Sequence, residues 1–159
     1  MRITIGSDHA GYNLKQALID YLRQAGHQVF DAGTNSTAPV DYPDFAEAVS
    51  LSLLRGECDR GVLICGSGVG AAVAANKIPG IRAGLCHDGY SAHQCVEHDD
   101  VNVLVLGSRV IGIELAKDIC TIFLNARFTA EERHRRRLAK TLSIEQRYAP
   151  QAAAREREP

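Results

Sequence analysis

The sequence predicts an α/β fold, a three-layer αβα sandwich on a five-stranded parallel sheet of Rossmann-like type. Two observations predict it. Short apolar runs alternate with longer segments of helical period from one end of the chain to the other. The run at 102–106 (NVLVL) is almost continuously apolar, as strands covered on both faces are, and 61–65 (GVLIC) is the strongest strand signal in the chain.

Each element follows in order. Residues 2–6 (RITIG) form a buried strand that ends in the polar turn Ser7-Asp8-His9. Leu14, Leu18, Tyr21 and Leu22 recur at helical spacing, and Ala25-Gly26 closes that helix. A second strand covers 27–30, and a polar loop runs from Thr34 to Val40. Pro43 suits the first turn of a helix whose inner face carries Phe45, Val49 and Leu53. Strand 61–65 leads directly into Gly66-Ser67-Gly68-Val69-Gly70 and a small-residue helix, 71–77, stopped by Pro79-Gly80. The fourth strand is expected over 81–86, a short helix around 92–97, the fifth strand over 102–106, and helices over 111–124 and 130–147. The last stretch lacks large apolar residues, so one domain over 1–148 and a flexible tail over 149–159 are expected.

Composition narrows the function. The chain has 159 residues, 45% hydrophobic and 23% charged, with a net charge of −1. That is the composition of a globular domain, and it offers neither nucleic acid nor an anionic membrane a basic partner. No apolar run approaches the ~20 residues that span a bilayer. The opening MRITIGSDHAG reads as structure rather than as a secretory signal. Five cysteines, an odd number without a CxxC pair, point to free thiols in a reducing, cytoplasmic setting.

In parallel sheets of this kind ligands bind beyond the carboxyl ends of the strands. Ser7, Asp8 and His9 follow the first strand, Cys65 and the glycines the third, and His87 and Asp88 the fourth. His98, Asp99 and Asp100 come just before the fifth and are expected to join them. The stretch Cys65-Gly66-Ser67-Gly68-Val69-Gly70 is the most informative. Its glycines let several N–H groups point into one concavity, and the following helix adds the positive end of its dipole. An oxyanion is stabilised in such a place, and a thiol there is expected to ionise more easily and to serve as base or nucleophile. A tight turn with a buried structural cysteine is the plainer alternative.

Other readings remain open at this level. Gly66-x-Gly68-x-x-Ala71, with Asp88 downstream, also fits a dinucleotide-binding fingerprint, although it opens the third strand–helix unit rather than the first. Asp8 and His9 suit contacts to sugar or phosphate oxygens, or Asp8 simply caps the next helix. His87, His93, His98, Asp99 and Asp100 invite a metal, but His93 and His98 are five apart and do not share a helix face. Arg133 and Arg137 are four apart on a basic run, a spacing that can clamp one phosphate or simply face solvent.

The motifs in combination resemble the ribose-5-phosphate isomerase B family, shared with the galactose-6-phosphate isomerase subunits and allose-6-phosphate isomerases. The matching stretches are GSDHAG at 6–11, VDYPDFA at 40–46, CGSGVG at 65–70, AANKIPGIRA at 74–83, NVLVLGSRVIG at 102–112 and IEQR at 144–147. The resemblance implies an enzyme that interconverts ribose 5-phosphate and ribulose 5-phosphate through an enediolate, in pentose phosphate metabolism. It also implies a homodimer or dimer of dimers with sites at the subunit interface, and no metal or organic cofactor. By the same resemblance Cys65 matches the thiol that moves the proton between C1 and C2, and Ser67 a hydroxyl that assists it. Gly66, Gly68, Val69 and Gly70 match the amides that hold the enediolate oxygen. His98 matches the residue that opens the furanose ring, with Asp8 on the ring oxygen or hydroxyls. His9, Arg109, Arg133 and Arg137 match phosphate ligands. Asp99 departs from an asparagine usual in the family, and an ionised carboxylate cannot donate the hydrogen bond an amide does.

Overall fold

The structure is a computed structural model that describes the backbone of residues 1–155 and the side chains of residues 1–148. Five parallel strands form one sheet in the order β2-β1-β3-β5-β4. They are β1 (Arg2–Ser7), β2 (Gln28–Asp31), β3 (Arg60–Cys65), β4 (Ala83–Leu85) and β5 (Val103–Gly107). The helices between and after them are α1 (Tyr12–Gln24), α2 (Tyr42–Leu54), α3 (Val69–Ala75), α4 (Gly89–Asp99), α5 (Ile113–Asn125) and α6 (Glu132–Arg155).

Alternation of side chains along each strand divides the core between the two faces. Ile3, Ile5, Val62, Ile64, Leu104 and Leu106 pack under α1, α4 and α5 with Leu18, Val96, Ile119 and Phe123. Leu63, Cys65, Val103 and Val105 face the other way, against Ala46 and Val49 of α2 and Ala71 and Ala75 of α3. Small residues on α3 let that helix lie close to the sheet. The chain leaves β1 toward β2 on one side and leaves β3 toward β4 on the other. The crevice beyond the carboxyl ends of β1 and β3 is therefore the topological switch point, where ligands settle in open α/β sheets.

Several element limits differ from those expected. The fourth strand shrinks from 81–86 to Ala83–Leu85 because two side-chain amides serve the backbone before it. Asn102 holds Gly80 and Arg82, while Asn76 bridges both polar groups of Ala83. Helix α4 is longer than expected because Asp88 caps it, its Oδ1 accepting from the Ser91 N–H at 2.7 Å. Phe45 and Leu53 are only partly buried, and Ala46, Val49 and Ser50 form the innermost line of α2. Lys15, in the middle of α1, is fully buried. Its Nζ pairs with Asp31 and donates to the Thr34 carbonyl at 2.8 Å. The backbone of α6 continues through Arg155, and residues 156–159 of the expected tail lie outside the described residues.

Candidate active site

Register brings the first functional pair together. Ser7 of β1 is aligned with Ile64 of β3, so the residues that follow, Asp8 and Cys65, meet across the switch point. The Asp8 N–H donates to the Ile64 carbonyl at 3.2 Å, and Cys65 Sγ donates to Asp8 Oδ2 at 3.0 Å. Asp8 Oδ1 accepts from the Gly11 N–H at 3.0 Å, which fixes the carboxylate. Cys65 is 8% exposed. Burial pushes its thiol above the ordinary range, the hydrogen bond and negative charge of Asp8 push the same way, and the N–H groups of Gly68 and Gly66 oppose them. The expectation of a thiol made more acidic by its glycine loop is thus corrected. Desolvation and the carboxylate outweigh the amides, and Cys65 rests as a protonated donor.

The glycine loop then turns into α3. Gly68 has φ +82, and a Cβ there would stand 2.5 Å from Leu85 Cδ1 and 3.1 Å from the Leu106 backbone, so only glycine fits. Ser67 is exposed, with Oγ accepting from the Val69 N–H at 3.3 Å. Val69 is also exposed. Arg109 reaches the loop from beyond β5: its N–H donates to the Gly66 carbonyl at 3.0 Å and its side chain passes beside Gly66. His9 Nδ1 lies 3.2 Å from both the N–H and the carbonyl oxygen of Val40, which anchors the ring through that nitrogen. Asp8, His9, Cys65, Ser67, the glycines and Arg109 thus share one edge of the sheet.

His98, Asp99 and Asp100 do not join them. Helix α4 returns the chain from the carboxyl end of β4 to the amino end of β5, so its last turn lies at the opposite edge. Cys65 is aligned with Gly107 at the far end of β5. From Val103 to Gly107 that strand covers roughly 13 Å at ~3.3 Å per residue. The expectation that all the titratable residues gather at one edge is corrected on this topology. The amino edge instead carries its own cluster. The rings of His98 and His134 lie 4.2 Å apart between centroids. Arg133 is paired with Glu131 at 2.9 Å, and Arg137 is exposed without an ion pair among the described residues. Asp99 is exposed beside a hollow of ≈ 240 Å³ that Asn76, Arg82 and Leu138 also line.

The sequence model of the Ribose/Galactose Isomerase family matches residues 3–141. The chain belongs to this family. It is 46% identical over 146 residues to ribose-5-phosphate isomerase B of Escherichia coli, which covers 92% of this chain and 97% of that protein. It is 43% identical over 130 residues to the D-erythrulose-4-phosphate isomerase of Pectobacterium atrosepticum, covering 80% of this chain and 85% of that one. The solved structure of Clostridium thermocellum ribose-5-phosphate isomerase B superposes with a TM-score of 0.91 at 49% identity, over 93% of this chain and 99% of that chain.

Within this family fold, two residues near the carboxyl edge, Tyr42 and Ser108, had no role in the sequence reading of the site, and His87, expected at this edge, is found there. Tyr42 lies over Gly70, where a Cβ would come within 2.8 Å of its ring. His87 Nε2 accepts from the Gly107 N–H at 2.9 Å. Ser108 Oγ ties Ala10 to Cys65 through their carbonyls, at 2.8 and 3.2 Å. Tyr42 and Ser108 both stand inside motifs that carry the family resemblance, and His87 stands beside a strand end, so each had a signal. Asp88 of the dinucleotide alternative is occupied in capping α4. A separate groove of ≈ 470 Å³, between α6 and the segment around Pro79, carries no thiol and no glycine loop.

Proposed function

We propose that this chain is an isomerase that interconverts ribose 5-phosphate and ribulose 5-phosphate through an enediolate, with residues 1–148 serving as one catalytic domain. The observation that carries the reading is the Cys65–Asp8 hydrogen bond of 3.0 Å at the switch point, beside a glycine loop whose amides face the sulfur. Names of relatives across the family support the substrate class.

On this reading the phosphate lies among His9, Arg109, Arg133 and Arg137, whose donors suit a dianion. Asp8 takes the thiol proton, and the Cys65 thiolate removes the hydrogen from C2. Charge moves to the carbonyl oxygen at C1, where the N–H groups of Gly66, Gly68, Val69 and Gly70 stabilise it. The proton returns at C1 and the ketose forms, with Ser67 assisting between the oxygens. A carbonyl beside the reacting carbon already acidifies it, so positioned acid–base groups supply ~10²–10⁴ of the acceleration.

Ring opening by His98 needs the second edge. A homodimer in which the amino edge of one copy, with His98, Asp99, Arg133 and Arg137, faces the carboxyl edge of its partner meets that need. Five unpaired thiols suit a reducing, cytoplasmic setting. No helix among the described residues is long and apolar enough to cross a membrane.

Mixing two inactive variants, Cys65→Ala and His98→Asn, tests both halves of the reading. Each mixed dimer then holds one intact site, and random exchange restores roughly a quarter of wild-type turnover. No recovery after exchange, with both variants folded, sinks the shared site. Undiminished turnover by Cys65→Ala alone removes the thiol from the chemistry.

A further inference from the structure

We infer that His134 is a positioning residue for ring opening, a neutral imidazole that sets the plane of His98 and leaves it free to carry a proton. The inference rests on the reading of His98 given above. His134 sits in the first turns of α6 and is 1% exposed, an unusual depth for a residue flanked by Arg133, Arg135, Arg136 and Arg137. Its ring and that of His98 lie 4.2 Å apart between centroids, inclined by 31°. Tilted rings at this separation are in contact, and the contact covers part of His98 against water.

Hydrogen bonds specify the proton on each ring. Thr129 Oγ1 donates its single hydrogen to the Glu97 carbonyl at 3.1 Å, and the Thr129 N–H donates to the same carbonyl. With that hydrogen on the carbonyl, the hydroxyl accepts from His134 Nδ1, 2.7 Å away, and Nδ1 carries the proton. His134 Nε2 is buried without a partner among the described residues. A second proton there would place a charge in a slot with nothing to solvate it. Burial accordingly pushes His134 below the ordinary imidazole range, and His98, Arg133 and Arg137 add to the push while Glu131 opposes it. Gln94 Nε2 lies 3.1 Å from His98 Nδ1 and can only donate to it, so the proton of a neutral His98 sits on Nε2. Glu97 Oε2 is 3.8 Å from that atom.

The cluster therefore has a division of labour. His134 is latched through Thr129 to the carbonyl of Glu97, the residue that precedes His98. The ring contact carries that fixed orientation across to the acid. Ring opening needs one donor aimed at the ring oxygen as its bond to C1 breaks, and a misplacement of the order of 1 Å costs ~10²-fold. A charged neighbour in the same slot would repel the protonated acid; a neutral one does not.

The test compares a substrate that closes into a furanose with one that cannot. Erythrose 4-phosphate has no free hydroxyl from which to form a five-membered ring, so its C2 proton exchange bypasses ring opening. His134→Leu fills the slot without an aromatic face, and His134→Phe restores the face without the nitrogen atoms. His134→Leu is expected to lower kcat for ribose 5-phosphate roughly 10- to 100-fold with KM within about twofold. His134→Phe is expected to recover most of that loss, and solvent deuterium exchange into erythrose 4-phosphate stays at the wild-type rate in both. His98→Asn is expected to reproduce the same split. Equal losses on the two substrates, or no loss in His134→Leu, overturn the assignment to His134. A His98→Asn protein that opens the ring normally instead overturns the underlying reading of His98.

Discussion

Cys65 donates a hydrogen bond to Asp8 across 3.0 Å, joining the residues at the ends of the two central strands. The bond makes the thiol the resting form and supplies an acceptor for its proton. Asp8 thus raises the thiol's resistance to ionisation, and in the proposed mechanism it is also the group that relieves it.

Asp8→Asn separates those two effects. The amide removes the negative charge of Asp8 and leaves a weaker acceptor and burial, so the thiol ionises at lower pH in the variant than in the wild type. Alkylation of Cys65 by iodoacetamide at pH 8, followed on its peptide by mass spectrometry, is expected to speed up. In the wild type the alkylation rate is expected to keep rising above pH 9.0, the ordinary thiol value. Turnover of Asp8→Asn falls ~10²–10⁴-fold, since the proton acceptor is lost. Alkylation that slows in the variant contradicts the direction assigned here.

Gly68→Ala tests the turn. A left-handed backbone costs a residue with a side chain about 1–2 kcal/mol. The added methyl also meets Leu85 and the Leu106 backbone. A loss of roughly 2 kcal/mol or more in chemical denaturation is expected, with impaired turnover in the protein that remains folded. A neutral result contradicts the geometry of the loop.

Lys15→Met keeps the volume of a fully buried side chain and deletes its charge. The Thr34 carbonyl loses its donor and Asp31 its partner. An unsatisfied buried acceptor costs about 1–3 kcal/mol, and Asp31 is exposed enough to recover water. Urea unfolding is expected to report a loss within that range, while kcat stays near wild type because Lys15 touches none of the site.

Arg137→Ala addresses the phosphate. A charge-assisted hydrogen bond is worth about 1.5–3 kcal/mol, which becomes roughly 10- to 100-fold in KM for ribose 5-phosphate. The same substitution leaves the weak conversion of unphosphorylated ribose unchanged. An equal effect on both sugars removes Arg137 from phosphate recognition.

The sheet and half of the candidate site were legible because their signals are local. A near-continuous apolar run from Val62 to Cys65, closed by glycines, reads as a central strand and its turn in any window that contains it. Lys15 was invisible because periodicity counts a lysine as a solvent-facing residue, and its partners Asp31 and Thr34 are distant in the chain. The length of β4 depended on Asn76 and Asn102 doing the work of a neighbouring strand. The sign of the Cys65 shift required Asp8 and the depth of burial, neither of which is adjacent in sequence. His98 was assigned to the wrong edge through proximity in the chain to β5, although a right-handed crossover must deliver it to the amino end.

The opposed edges have a consequence for how such an enzyme is handled. On the pairing of edges proposed above, with the thiol at one end of the sheet and the neighbouring imidazoles at the other, a lone copy owns two incomplete halves. Specific activity then obeys mass action: progressive dilution toward the dissociation constant of the pair extinguishes turnover on furanose substrates while every molecule stays folded.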